Sequence, residues 1–278
     1  PPVGELRWRA PKPPVPWRGV QPAVDNGASC IQPEKLSIDS GGGDPRPFAE
    51  DCLFVNVWAP AAASAPRPVM VWIHGGALIF GSGGVPVYDG APLAARGAVV
   101  VTLNYRLGAL GFFAHPALAA EGGAFNFGLL DQIAALRWVK RNIARFGGDP
   151  GNVTIFGQSA GAKSVLALFA SPLATGLFHK GIAQSPYGLP SHTLTKARAT
   201  AAAVATALKL DGAKASAAEL RAVPADAFGP LIGKAESLAP SFILGDRALP
   251  APILATFQNG KEAQVPLIIG NTSDDGSI

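Results

Sequence analysis

Apolar segments of two kinds alternate along most of this chain, and the alternation limits the folds that it can adopt. The runs "VMVWIH" (69–74) and "AVVVTLNY" (98–105) are continuous, as in strands that are covered on both faces. Between 129 and 143, apolar residues recur at spacings of three and four, which places them on one face of a helix. Strands that alternate with helices predict an α/β fold with a mainly parallel sheet and helices on both faces.

The rest of the chain supplies further elements of the same two kinds. The alternation in "CLFVNVW" (52–58) predicts a half-buried strand. The other predicted elements are strands at 152–156, 180–185 and 265–270 and helices at 159–171 and 193–208. Residues 1–50 are rich in Pro and Gly, and 40–48 is typical of an exposed loop. Because there is no repeat and no linker, we interpret residues 1–278 as a single domain.

Charge and composition argue against several classes of protein. The 278 residues carry a formal net charge of +4 without a basic cluster, which is unlike a nucleic-acid-binding surface. No window approaches 18 consecutive apolar residues, so no membrane span is predicted. The histidines and cysteines lack the spacing of metal ligands, and we expect neither a metal nor another cofactor.

A serine stands where the strand at 152–156 gives way to the helix that follows. Ser159 is flanked by Gly157, Ala160 and Gly161 in a Gly-x-Ser-x-Gly pattern. On such a tight turn the serine adopts strained backbone angles, and the close approach of its neighbours requires small residues. A glycine-rich chain also produces this pattern by chance, but the strand before it and the helix after it favour a nucleophile.

A second glycine-rich segment follows the strand at 69–74. In "VWIHGGALIFGSGG" (71–84), Gly75 and Gly76 leave backbone N–H groups free to turn into a cavity. By itself this is typical of an ordinary turn. Together with Ser159 it is better interpreted as an oxyanion hole, which needs two or three such donors about 3 Å from the oxyanion. His74, inside the segment, is then a structural residue more readily than a proton carrier.

Five segments resemble the type-B carboxylesterases, the cholinesterase and carboxylesterase branch of the α/β-hydrolases. They occur in the family's order and cover nearly the whole chain: 50–60, 74–77, 103–108, 131–161 and 266–277. The resemblance implies an α/β-hydrolase fold, here expected to be incomplete at both ends. It also implies that Ser159 is the nucleophile, that the N–H groups of Gly76, Ala77 and Ala160 form the oxyanion hole, and that Ser185 lies behind the catalytic acid.

Two further contacts are expected from the same comparison. By composition alone, Cys30 and Cys52 are equally compatible with free thiols and with a disulfide. The resemblance implies the disulfide, which would point to an oxidising compartment and a secreted or periplasmic protein. We also hypothesise a structural ion pair between Arg106 and Asp131 behind the nucleophile strand.

The expected catalytic acid and base are where this sequence departs most from the family's pattern. The family's Asp-Glu-Gly triplet is here Asp274, Asp275 and Gly276, so Asp275 takes the acid position with a side chain one methylene shorter. Asp274 is the alternative.

In this fold the histidine follows the acid. The four histidines, however, all precede Asp275: His74, His115, His179 and His192. We therefore expect the catalytic histidine outside this chain, an apolar sheet edge left uncovered, and little activity from the chain alone.

Two hypotheses of function follow. The first is a serine carboxylesterase that acts on small uncharged short- or medium-chain acyl or aryl esters, with Leu78, Ile79 and Phe80 lining an apolar acyl pocket. Gln158 stands where choline esterases carry an acid, which argues against a cationic substrate. The second is a non-catalytic binding or adhesion module on the same fold, since fold alone does not fix function. Oligomeric state is not indicated.

Overall fold

A six-stranded sheet forms the centre of the molecule. The computed structural model describes residues 2–40, 42–60, 65–187, 191–231 and 238–275. Within those ranges the strands are β1 (Ser29–Cys30), β2 (Phe48–Ala49), β3 (Val55–Trp58), β4 (Arg67–Ile73), β5 (Val99–Leu103), β6 (Gly148–Gln158), β7 (Lys180–Gln184), β8 (Ser191–His192), β9 (Phe242–Ile243) and β10 (Leu267–Gly270). The central sheet has the order β10-β7-β6-β4-β5-β3, and every pair is parallel except β3 with β5.

Helices pack around this sheet. In the described ranges they are α1 (Glu34–Ser40), α2 (Ala91–Ala94), α3 (Gly108–Gly111), α4 (Phe127–Asn142), α5 (Ala160–Ala170), α6 (Leu194–Ala207), α7 (Ala217–Ala222) and α8 (Ile253–Gln258). The parallel α/β architecture predicted from the alternating pattern is confirmed. None of these helices has both the length and the apolar character needed to cross a membrane.

The two faces of the sheet bury different clusters, as the two-residue period of a strand requires. Val69, Val71 and Ile73 of β4 point into the main core, which also contains buried residues of α4 and α5. Met70 points the other way and packs in a small cluster with Val100 and residues of α2. Strands β4 and β5 are therefore covered on both faces, which accounts for their continuous apolar runs.

Element boundaries differ from the predictions at two strands. The strand expected from 52 begins at Val55, because Cys52 is held in a turn in which its carbonyl accepts the N–H of Phe54 at 2.9 Å. The strand expected from 152 begins at Gly148, because Gly148 pairs with Arg67 and a register shift follows in β4.

A disulfide joins β1 to the segment that precedes β3. Cys30 and Cys52 are bonded, as the resemblance implied. The small strands β1 and β2 pair in parallel, so Phe48 lies in a strand and not in an exposed loop. At the other edge, β10 pairs only with β7 within the described ranges. Ile268 and Ile269 of β10 are 66% and 56% exposed, which is the apolar edge that we expected.

Candidate active site

Ser159 occupies a strained turn between β6 and α5. Its φ of 55° and ψ of −120° lie in a region that residues other than glycine rarely adopt. Its N–H donates to the carbonyl of Gln184 at 2.9 Å, and its carbonyl accepts the N–H of Lys163 at 3.0 Å. These bonds join the turn to β7 on one side and to the first turn of α5 on the other. The serine is partly exposed.

Small residues are obligatory in this serine corner (residues 157–161). A Cβ atom placed on Gly161 would lie 2.0 Å from the carbonyl oxygen of Ile73, and one on Gly157 would lie 2.6 Å from the carbonyl carbon of Gly161. Both distances are far inside van der Waals contact, and both involve backbone that has little freedom to move. The corner therefore forms because α5 crosses β4 at backbone distance.

The glycine segment (residues 74–80) lies against this corner. A Cβ atom on Gly75 would stand 3.4 Å from the Cβ of Ser159 and 2.9 Å from the carbonyl of Gln158. The next three residues all have positive φ: 97° at Gly76, 54° at Ala77 and 63° at Leu78. The carbonyl of Gly76 accepts the N–H groups of residues 79 and 80, at 2.8 and 3.0 Å. Within the described ranges, the N–H groups of Gly76 and Ala77 donate to no protein acceptor.

His74 is buried beneath the glycine segment. It is 1% exposed, its ring stacks on Tyr105 with centroids 4.4 Å apart, and its Nδ1 lies 2.9 Å from the carbonyl of Gly75. Burial lowers the pKa of His74 to about 4. A ring that is neutral and enclosed at physiological pH supports the interpretation of His74 as structural.

A buried ion pair supports the loops behind the serine corner. Arg106 donates from Nε and Nη2 to the two carboxylate oxygens of Asp131, both at 2.7 Å, and its backbone N–H donates to the same carboxylate at 3.0 Å. The hypothesised pair is confirmed. Both side chains are almost fully buried, so each charge depends on the other for solvation.

The predicted acid lies in the loop that follows β10, here called the acid loop (residues 271–275). Asp275 accepts the hydroxyl of Thr272 at 2.6 Å, the N–H of Thr272 at 2.9 Å and the phenol of Tyr187 at 3.4 Å. Hydrogen bonds from the Ser185 hydroxyl and then from Thr272 hold the pKa of Asp275 below its ordinary value. Gly276, which completes the triplet, lies outside the described residues.

Ser185 reaches the acid from the end of β7. It has a positive φ of 53°, and its N–H donates to the carbonyl of Gly270 at 2.7 Å. The place of Ser185 behind the acid stays a prediction. Because β6, β7 and β10 are neighbours, Ser159, Ser185 and Asp275 follow three adjacent strands at the carboxyl edge of the sheet, where open α/β sheets bind their ligands.

A sequence profile of the carboxylesterase family matches residues 1–278. This chain belongs to the carboxylesterase family. Para-nitrobenzyl esterase of Bacillus subtilis is 45% identical over 100% of this chain and 58% of its own length. Fumonisin B1 esterase of Sphingopyxis macrogoltabida is 41% identical over 99% of this chain and 51% of its own. The chain spans little more than half the length of these relatives.

Solved structures show the same likeness. A thermophilic pNB esterase superposes with a TM-score of 0.88 at 42% identity, over 98% of this chain and 57% of that one. A pNB esterase superposes with a TM-score of 0.87 at 43% identity, over 99% and 58% respectively. The α/β-hydrolase fold of these carboxylesterases is therefore the fold of this chain.

The histidines of this carboxylesterase chain serve other purposes. His115 contacts the carbonyl of Gly212 at 2.9 Å, and His179 accepts the N–H of Val153 at 3.1 Å. Burial lowers the pKa of His192, which lies in β8. In the described part of the chain, no histidine forms a hydrogen bond with Ser159 or Asp275. The general base for Ser159 therefore stays a prediction from the sequence.

The three residues expected to line an acyl pocket differ in exposure. Leu78 is 5% exposed and packs in the main core, and its carbonyl accepts the N–H of Gly108 at 2.8 Å. Ile79 and Phe80 are partly exposed. Thr272 and Tyr187 were not identified from the sequence. A threonine three residues before an aspartate is a turn signal that would have indicated Thr272, whereas no local pattern indicates Tyr187.

Proposed function

We propose that this chain is the nucleophile-bearing part of a serine carboxylesterase that hydrolyses small, uncharged esters through an acyl-enzyme. The observation that carries the proposal is the strained, partly exposed Ser159 beside the unpaired N–H groups of the glycine segment. Strain of this kind persists where the surrounding structure imposes it, and it is concentrated at functional sites.

In the proposed mechanism, the Ser159 oxygen attacks the ester carbonyl carbon while its proton passes to a histidine base. The carbonyl oxygen becomes an oxyanion, which accepts hydrogen bonds from the N–H groups of Gly76, Ala77 and Ala160. The C–O bond to the alcohol breaks, and the alcohol leaves with the proton that the histidine returns. Water then attacks the acyl-enzyme by the same route and releases the carboxylic acid.

Asp275 orients the histidine and stabilises its protonated form. Its depressed pKa keeps the carboxylate ionised at neutral pH, as that role requires. The histidine itself remains the prediction made from the sequence, a residue outside this chain. Asp274 is the rival acid, but the hydroxyl groups of Ser185, Thr272 and Tyr187 converge on Asp275.

The substrate class is inferred from the residues beside the serine corner. Ile79 and Phe80 end the glycine segment and are partly exposed, so they offer an apolar surface to an acyl or aryl group. Gln158 is exposed and neutral next to Ser159, which gives no attraction to a cationic substrate. The relatives include a para-nitrobenzyl esterase and a phenmedipham hydrolase, and the first of these names supports an ester as substrate.

An oxidising location is supported by the Cys30–Cys52 disulfide, since such bonds persist mainly in secreted and periplasmic proteins. We propose secretion or periplasmic export on that basis. Fractionation of the native host followed by immunoblotting tests it, and recovery of the reduced protein in the cytosol would contradict it.

The test uses the protein at its natural length with p-nitrophenyl butyrate and an organophosphonate probe. We expect turnover and labelling at Ser159, and a loss of at least about 10⁴-fold in kcat for Ser159→Ala. Ser191→Ala, a partly exposed serine in β8, is the matched control and should keep full activity. A folded protein that neither turns over ester nor takes the label would favour the non-catalytic binding module.

A further inference from the structure

The Asp275 carboxylate is held mainly by one residue of its own loop. Thr272 gives two hydrogen bonds, one from its hydroxyl to Oδ1 and one from its N–H to Oδ2. Tyr187 also donates to Oδ1. An ionised carboxylate offers about four lone-pair sites, so these three bonds leave one for an imidazole N–H.

The three bonds differ in length. The Thr272 bonds, at 2.6 and 2.9 Å, close a turn within the acid loop, so they hold the carboxylate to its own backbone. The bond from Tyr187 is the longest at 3.4 Å, beyond the ordinary range for O–H···O. Thr272 is thus the residue that orients the carboxylate.

We propose that Thr272 is the positioning residue of the catalytic acid. This inference rests on the proposed function, in which Asp275 is the acid. The Thr272 hydroxyl compensates for the shorter side chain of aspartate, because it fixes a carboxylate that would otherwise rotate about a single short stem. Among the described residues, Tyr187 is the titratable group bonded to Asp275, and Asp274 is its charged neighbour in the chain.

Thr272→Val tests the positioning role, because valine keeps the shape and the backbone N–H but removes the hydroxyl. In the natural-length enzyme we expect kcat for p-nitrophenyl butyrate to fall about tenfold with KM unchanged, less than the roughly 10²-fold that a 1 Å displacement costs. Thr272→Ser restores the hydroxyl and should restore kcat. Thr206→Val is the control: this exposed threonine of α6 donates its hydroxyl to the carbonyl of Ala202, in the same helix.

A Thr272→Val enzyme with the kcat of the parent, or a Thr272→Ser enzyme as impaired as Thr272→Val, would overturn the inference while leaving the esterase intact. Full hydrolysis by Ser159→Ala would instead overturn the proposed function. Circular dichroism of each variant separates either result from misfolding.

Discussion

The serine corner and the acid loop occupy the same edge of the sheet but are held by different means. The serine corner is fixed by backbone: glycines at 157 and 161 let the start of α5 touch β4 directly, and a Cβ atom at either position would collide with main-chain atoms. The acid loop is fixed by side chains, since hydroxyl groups of Thr272, Tyr187 and Ser185 converge on one carboxylate. The nucleophile is thus placed by steric exclusion and the acid by hydrogen bonding.

This difference determines how each region tolerates change. Where two backbones touch, stability does not change by small steps, because an added methyl group must displace a helix or a strand. A hydrogen-bonded carboxylate on an exposed loop loses one donor at a time, and each donor contributes about 1 kcal/mol. Substitutions in the serine corner should therefore affect folding, whereas those around the acid loop should affect catalysis.

The largest expected effect is that of Gly161→Ala. Its methyl group would lie 2.0 Å from the carbonyl oxygen of Ile73, so we expect a loss of more than about 3 kcal/mol in the free energy of unfolding. Urea denaturation followed by tryptophan fluorescence measures it.

Gly270→Ala is the matched control at the other side of the comparison. This glycine ends β10 with an ordinary φ, and a Cβ atom there would meet nothing within 4 Å. Its stability should stay within about 0.5 kcal/mol of the parent protein. Equal losses of unfolding free energy in Gly161→Ala and Gly270→Ala would show that backbone packing is not what distinguishes the two regions.

The second prediction concerns the pH dependence of the free energy of unfolding, to which the buried His74 contributes. Burial depresses the pKa of His74 from 6.5 to about 4, so the unfolded chain binds the proton first as the pH falls. The stabilisation is complete above pH 6.5, and about 3 kcal/mol of it is lost as the pH falls to 4.

Urea unfolding at several pH values, compared between the parent protein and His74→Gln, isolates this contribution. The variant lacks the titrating ring, so its stability should fall less steeply between pH 6.5 and 4, whatever its stability at neutral pH. Parallel pH dependences for the two proteins would contradict the assignment of a neutral, buried ring.

The fold was predictable because its signals are local. The continuous apolar run of β5 is buried at all five positions, and the apolar face of α4 fits the spacings read from 129 to 143. The boundaries that moved, at Val55 and Gly148, depend on a disulfide-anchored turn and on pairing with Arg67. Those are contacts between distant residues, which a pattern along the chain does not contain.

The candidate site divides in the same way. Ser159 stands in a local motif whose small residues indicate the close packing around it. The glycine segment is also a local motif, so both could be predicted from the sequence. Asp275 and Ser185 came from the family resemblance, and Tyr187 came only from the structure, because its contact requires β7 and β10 to be neighbours. Leu78 is buried and has a positive φ of 63°, a backbone conformation that sequence does not specify for leucine.

The smallest expected effect is that of Ser185→Ala, and it tests whether the acid loop responds through hydrogen bonding alone. The hydroxyl is the largest cause of the lowered pKa of Asp275, so its removal should raise that pKa and reduce kcat about fivefold, the equivalent of one hydrogen bond. Ser185→Gly separates the hydroxyl from the backbone: glycine adopts the φ of 53° without strain, so it should fold about 1 kcal/mol more stably than alanine. Both variants lack the donor, so their kcat values and pH profiles should coincide although their stabilities differ. If activity followed stability instead, the acid would be placed by backbone after all, and the contrast with the serine corner would disappear.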